Sequence, residues 1–195
     1  MMIEPWYEAV EPSQKLTQGD LIFDCPLLAW DPLKLPRVYE GEEAEILKPA
    51  SRGFAADVVV MTQACDLEHG HVQNVVLCSH MSLSASRTAW DEWMKEDGHN
   101  PTDKSFRSYC VDVNKGHIWN QAFINRSDLE PKMAEIRLVE FNEVFTVPVL
   151  FLQSILEQRN KSRLRLRPPY REHLSQSFAR YFMRVGLPEP VTRGW

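Results

Sequence analysis

The sequence predicts an α+β domain in which a small β-barrel or curled antiparallel sheet carries a C-terminal helical extension. Short β-branched segments recur between turn residues, and the most apolar of them, residues 56–62, fits a strand buried on both faces. Residues 170–185 place apolar side chains at helical spacing. We therefore expect a barrel-like domain over residues 1–147 and a basic helical extension over residues 148–195, packed on the barrel.

The first half of the chain supplies the predicted centre of the sheet. Gly19-Asp20 reads as a turn that leads into a short strand, which Pro26 and two further prolines interrupt. Residues 26–53 read as a long connection that contains an acidic stretch. After it, residues 56–62 and 72–78 are predicted to pair as an antiparallel hairpin.

The middle of the chain predicts one helix and one hairpin. Residues 84–96 have helix-forming composition, and Trp90 and Trp93 share a face of that helix. Both tryptophans are interpreted as core anchors. Residues 105–125 show alternating segments around a turn at 114–116, which predicts a second hairpin.

The last third predicts a strand, a helix, an arginine-rich strand and a closing helix. Residues 135–147 form a long strand with an irregularity near Asn142, and Pro148 precedes a helix over 149–158. The strict alternation of Arg and Leu over 163–167 places leucines on one face of a strand and arginines on the other.

Composition indicates an ordinary soluble globular protein. The 195 residues are 44% hydrophobic and 25% charged, and the longest apolar runs are much shorter than the roughly 20 residues of a membrane span. The N-terminal segment has no basic region followed by an apolar stretch, so we expect no signal peptide and a cytoplasmic location. The four cysteines are irregularly spaced and are expected to be reduced.

Charge is distributed very unevenly along the chain. Residues 159–184 contain eight basic residues and a single acid, so this segment carries +7 within a total of −5 and leaves −12 for the remainder. Such polarity predicts an acidic partner, either a nucleic acid, with RNA favoured over DNA, or an acidic protein. The candidate nucleic-acid-binding residues are Arg163, Arg165, Arg167, Arg171, Arg180 and Arg184.

Stacking residues could accompany these arginines. Tyr109, Trp119 and Tyr170 are candidates for stacking on bases. About five phosphate contacts by the arginines would give a log–log salt slope near −3.5 for a single strand. The alternative is that the guanidinium groups pair with carboxylates of the same chain, because the rest of the chain is itself strongly acidic.

The densest group of reactive side chains follows the central strand, over residues 62–71 and 78–80. In a catalytic interpretation, Thr62, Cys65 and Asp66 mark the site, and a histidine brought close by the fold would have to activate the thiol. In a structural interpretation, Asp66 caps a turn or helix. In a zinc interpretation, the ligands come from both arms of the hairpin. The zinc candidates are Cys65, His69, His71, Cys78 and His80.

Two short motifs in the first 80 residues resemble the PemK/MazF-like toxins. Gly19-Asp20-Leu21-Ile22 is similar to the opening strand of that family, and the strand at 56–62 is similar to its second motif, with Thr62 at the Ser/Thr position. The chain differs at Ala56 and Asp57, where the family has its catalytic Arg and the following Pro. The resemblance implies an SH3-like barrel that cleaves RNA, as toxins of toxin–antitoxin systems do. Residues 62–67 and 169–174 are not features of those toxins and resemble a barrel of the mobile-element or phage-defence repertoire.

Three hypotheses of function follow. The leading one is an intracellular nucleic-acid-binding barrel protein, for which toxin-like or phage-defence-associated cleavage of RNA is a candidate activity. The alternative is a non-catalytic interaction module that docks an acidic protein through its arginines. The third is a zinc-dependent hydrolase or zinc-stabilised fold. No other cofactor is predicted, because the sequence contains no glycine-rich phosphate loop. No membrane partner is expected, and a homodimer is compatible with all three hypotheses.

Overall fold

The computed structural model describes residues 5–34 and 50–183, which form one seven-stranded antiparallel sheet and five α-helices. The strands are β1 Tyr7–Val10, β2 Asp20–Trp30, β3 Ser51–Val60, β4 Asn74–Ser82, β5 Gln121–Ile124, β6 Arg137–Pro148 and β7 Arg163–Leu166. The helices are α1 Ala64–Glu68, α2 Leu83–Glu96, α3 Asp103–Asn114, α4 Val149–Arg159 and α5 Tyr170–Phe182. None of the helices in these two ranges is long and apolar enough to span a bilayer.

The sheet is curled and open. Its strands lie in the order β1, β7, β2, β3, β4, β6, β5. The hydroxyl of Tyr7 in β1 donates to the carbonyl of Asn125, just beyond β5, at 2.6 Å. This bond joins the two edges of the sheet, although β1 and β5 share no ladder. The predicted α+β class is confirmed, and the described strands form a curled sheet rather than a closed barrel.

The C-terminal segment supplies a strand as well as helices. Strand β7 lies between β1 and β2 and pairs with both of them. A strand of the predicted extension therefore lies inside the sheet.

Alternation along the central strands builds one apolar core on each face. Leu21 and Val59 belong to the core beneath α5, to which that helix contributes Leu174. Their neighbours Ile22 and Val58 belong to the core on the other face, beneath α4. As predicted, β3 and β4 pair antiparallel in the middle of the sheet.

The prediction of a second hairpin over residues 105–125 is wrong, because most of its first half is helix α3 and the one strand in this range, β5, pairs with β6. Thr102 accepts from the backbone N–H of Ser105 and forms a capping box with it. Phe106 and Val113 are buried on the inner face of this helix, whereas Val111 is 48% exposed. The apparent alternation of Tyr109, Val111 and Val113 was thus a helical face with one outlying valine.

Strand β2 is longer than predicted, because Pro26 lies inside it rather than at its end. The ladder between β2 and β3 shifts register between Ile22 and Cys25, and Asp24 adopts a positive φ of 49° there. A bulge of this kind accommodates a proline close by in a strand. The predicted acidic stretch of the following connection lies outside the described residues.

Several other predictions are confirmed. Helix α2 covers the predicted range and is capped by Ser82, whose hydroxyl accepts from the N–H of Ala85 at 3.2 Å. Strand β6 is irregular as expected, since its register against β4 shifts after Glu140. Pro148 caps helix α4, and the closing helix α5 follows β7.

Candidate functional site

The charged face of β7 is turned toward a single buried carboxylate. Asp20 has no exposed side-chain surface and accepts from Arg163 Nε at 2.8 Å and from Arg165 Nε at 2.5 Å. Other N–H groups of both arginines donate to backbone carbonyls, including that of Lys15. The predicted alternation is confirmed, with Leu164 in the core. Both arginines are nevertheless used inside the protein, as the self-pairing alternative expected.

The other candidate arginines are distributed around α5. Arg171 at its start donates to Glu172 at 2.6 Å, and Arg167 is half-buried before the helix. Arg180 near the end of α5 is exposed and places its guanidinium 4.8 Å from the ring centre of Trp119. Arg184 lies outside the described residues. Among the described candidates, Arg163 and Arg165 therefore pair with Asp20 and Arg171 pairs with Glu172, whereas Arg180 lies over an aromatic ring.

The three candidate catalytic residues surround the start of α1. Thr62 Oγ1 accepts from the backbone N–H of Val76 at 2.7 Å, which ties the end of β3 to β4. The thiol of Cys65 is exposed and contacts the Asp66 carboxylate at 4.0 Å. Asp66 also lies 3.7 Å from His71 Nδ1. Among the described contacts, the thiol meets only this carboxylate, and His69 Nδ1 lies 2.7 Å from the backbone carbonyl of Cys65.

The five candidate zinc ligands divide between two environments. His69 and His71 stack at 5.4 Å on the exposed surface near Cys65. Cys78 is in the core, where burial raises the pKa of its thiol to about 12, and His80 is buried beside it on β4. Within residues 5–34 and 50–183, no group of three or more metal-ligating side chains is placed to hold a metal ion.

A buried polar cluster that the sequence did not predict lies where β3 and β4 separate. Arg137 of β6 donates from Nη2 to Asp57 at 2.6 Å and from Nε to His80 Nδ1 at 2.7 Å. Its Nη1 donates to the carbonyl of Lys132. Burial, and then the charge of Arg137, lower the pKa of His80 well below its usual value. All three guanidinium nitrogens contact protein acceptors, so this cluster fastens three strands together.

This cluster borders a cleft of about 510 Å³. The β3–β4 ladder covers only Val58–Val60, and Ser79 on the opposite wall donates to Glu143 at 2.6 Å. The sequence contains one indication of this cluster. Asp57 is an acid in the middle of an apolar strand, and a buried carboxylate requires a partner. The sequence could not identify that partner, which is 80 residues away.

An aromatic groove opens between α2, α3 and the outer face of the sheet. We call it the aromatic groove and define it by Trp90, Trp93, Tyr109, Ile118 and Glu140, which line a space of about 470 Å³. The interpretation of both tryptophans as core anchors holds for Trp90, which is 8% exposed, but not for Trp93, which is 57% exposed. Burial raises the pKa of Glu140 in its wall, and the neighbouring Glu143 adds to the rise.

The groove continues past Ile118 in two directions. On one side Ile118 joins a shallow depression that contains Lys104 and Tyr109. On the other side it joins a pocket of about 170 Å³ that contains Trp119 and Arg180. Trp119 is 39% exposed beneath the guanidinium of Arg180. Two predicted stacking residues, Tyr109 and Trp119, therefore line one continuous surface.

The third predicted stacking residue has a different role. The ring of Tyr170 stacks on Trp6 at 4.1 Å between centroids and 12° between planes. This contact attaches the start of α5 to the segment before β1.

No known protein family has a model that matches the chain, and no curated protein matches it in sequence. The resemblance to the PemK/MazF-like toxins thus stays a prediction, and the function has to be argued from the geometry of the described residues.

Proposed function

We propose that the protein binds single-stranded nucleic acid, with RNA as the preferred ligand, along the aromatic groove. The observation that carries this proposal is the pairing of exposed Trp119 with Arg180 at the end of a groove that also contains Trp93 and Tyr109. Proteins that bind single strands combine aromatic rings, on which bases stack, with basic side chains along the backbone. The groove offers both kinds of group.

The number of basic side chains on this surface sets its expected salt dependence. Arg180 and Lys104 line the groove's two extensions, whereas Arg163 and Arg165 are occupied by Asp20. Two phosphate contacts give a log–log salt slope of about −1.4 for a single strand, in place of the −3.5 expected from five arginines. Binding should therefore depend more on stacking than on charge.

Ribonuclease activity has less support than binding. Cleavage of RNA by a protein without a metal requires an acid and a base beside the scissile bond. The Thr62 hydroxyl already accepts a hydrogen bond from a backbone N–H of β4, and the Cys65 thiol contacts the Asp66 carboxylate. We therefore propose binding as the function, and degradation of the bound strand is a separate outcome of the same experiment.

The competing hypothesis is an interaction module that docks an acidic protein. It relies on the same arginines as the phosphate track, so the internal pairing of Arg163 and Arg165 weakens it as well. Absence of RNA binding at low salt, with a folded protein, would favour this hypothesis over ours.

The experiment is a titration of labelled single-stranded RNA of mixed sequence, followed by fluorescence anisotropy, with the same tubes run on a gel. Trp119→Ala is compared with Trp30→Ala, because Trp30 is also exposed but lies on β2 away from the groove. Loss of one stacking ring is worth about 1–3 kcal/mol, or roughly 5- to 150-fold in affinity. We expect that loss for Trp119→Ala alone, and equal affinities of both variants and the parent would overturn the proposal.

A further inference from the structure

Three side chains in the wall of the groove form a hydrogen-bond relay that fixes their orientation. The Tyr109 hydroxyl donates to Gln121 Oε1 at 2.5 Å, and Gln121 Nε2 donates to Glu140 Oε1 at 2.7 Å. Burial raises the pKa of Tyr109 to about 12, so its hydroxyl keeps its proton and acts as a donor at neutral pH. The amide of Gln121 consequently presents its N–H to the carboxylate and not its oxygen.

The relay leaves part of the carboxylate available to a ligand. It occupies Glu140 Oε1, and no described residue donates to Oε2. An ionised carboxylate accepts hydrogen bonds at both oxygens and donates none. The groove therefore combines aromatic walls with an oriented carboxylate that has acceptor capacity left over, which is the form of a pocket for a flat ligand with adjacent donors.

We propose that Glu140 selects guanine among the bases of a bound single strand. Guanine presents two adjacent donors on its Watson–Crick edge, N1–H and N2–H₂, and both can face one carboxylate. Adenine and cytosine each present one donor next to an acceptor, and uracil presents one donor between two acceptors. An acceptor that faces a carboxylate is repelled and loses its contact with water, so these bases are penalised. Single-stranded RNA is commonly read through base edges in this way.

This inference rests on the proposed function, because it assumes that a base enters the aromatic groove. It adds which base is preferred and which side chain selects it. A well-placed pair of hydrogen bonds to a base is worth about 1–3 kcal/mol of discrimination, and we expect guanine to be favoured by about tenfold.

The test uses four labelled heptamers of RNA, each with uracil at every position except the centre, which is G, A, C or U. Anisotropy titrations of the parent protein at one salt concentration should show about tenfold tighter binding of the G heptamer. Equal affinities for all four heptamers would overturn the inference. In that case, loss of binding in Trp119→Ala would show that the proposed function still stands, whereas failure of every heptamer to bind would remove both.

Three variants locate the selectivity. Glu140→Gln keeps the size of the side chain but replaces one acceptor by a donor, so it should weaken binding of the G heptamer and remove the preference for G, without weakening binding of the uracil heptamer. Glu143→Gln is the matched control, because this carboxylate on the same strand faces the other cleft and should keep the preference. Tyr109→Phe frees the amide of Gln121 and should reduce the preference several-fold without removing a ring. A preference that persists in Glu140→Gln would contradict the role of Glu140.

Discussion

Two regions of the molecule use arginine in opposite ways. On β7, Arg163 and Arg165 converge on Asp20, and all three side chains are buried or nearly so. On α5, Arg180 is exposed and lies over the ring of Trp119. The first arrangement stabilises the sheet, and the second can contact a ligand. A run of basic residues in a sequence therefore indicates charge without indicating whether that charge faces solvent or an internal carboxylate.

Breaking the buried contact between Asp20 and its two arginines should have the largest effect on stability. Asp20→Asn leaves two guanidinium groups without their counter-charge, and removing one partner of a buried ion pair costs about 3–5 kcal/mol. Urea unfolding of the variant should show a loss in this range, with a normal dependence on urea. Asp112→Asn, a change of an exposed aspartate, should stay within about 0.5 kcal/mol of the parent. A similarly small loss for Asp20→Asn would mean that β7 does not depend on this carboxylate.

Substitutions in the aromatic groove should change the affinity for RNA and leave the free energy of unfolding nearly unchanged. Trp93→Ala should weaken single-stranded RNA binding by about 1–3 kcal/mol, because one exposed stacking ring is lost. The free energy of unfolding should change by less than about 0.5 kcal/mol, since over half of the side chain is exposed. Trp93→Phe retains a ring and should keep most of the affinity. The comparison fails if Trp93→Ala unfolds the protein while the folded fraction binds RNA normally.

The buried cluster on β3, β4 and β6 should make the stability of the protein depend on pH. His80 faces Arg137, Asp57 and Lys132, and its pKa in the folded state is far below 6.5, its usual value. As the pH is lowered below about 6.5, the unfolded chain binds a proton that the folded chain does not. The free energy of unfolding therefore falls by up to about 1.4 kcal/mol for each pH unit. His80→Gln can still accept from Arg137 and should remove this part of the slope. Identical slopes for the parent and the variant would show that His80 titrates normally.

The smallest effect is expected at the surface of α1. Cys65→Ala removes an exposed thiol whose described side-chain contact is the carboxylate of Asp66 at 4.0 Å. Stability should change by less than about 0.5 kcal/mol, and RNA affinity and RNA integrity should be unchanged. If Cys65→Ala abolished cleavage that the parent performs, the catalytic interpretation of this segment would be correct after all.

Much of the fold followed from local pattern. The central strands were visible because they are β-branched and flanked by turn residues, and the face of β7 was visible because Arg and Leu alternate strictly. Helix α3 was not predicted, because Tyr109, Val111 and Val113 alternate as in a strand, whereas the capping pair of Thr102 and Ser105 indicates the start of a helix. The alternation predicted a strand and the capping pair predicted a helix, and the capping pair was correct.

The site was less predictable, because it depends on contacts between distant segments. Tyr109 and Trp119 were singled out as candidates for stacking on bases, but nothing local connects them to Glu140. The partners of Arg163 and Arg165 were equally hidden, because Asp20 lies more than 140 residues before them in the chain. Sequence alone supplied the residue types, and the order of strands in the sheet decided which of them meet.

The central claim is that RNA contacts the aromatic groove and not the arginines of β7. The most direct test is the salt dependence of the parent protein's affinity for a single-stranded RNA. Two phosphate contacts predict a log–log slope of about −1.4, and binding should persist at moderate salt because stacking carries most of it. A slope near −3.5 would require about five phosphate contacts, more than the two basic side chains of this surface can make, and it would contradict the account.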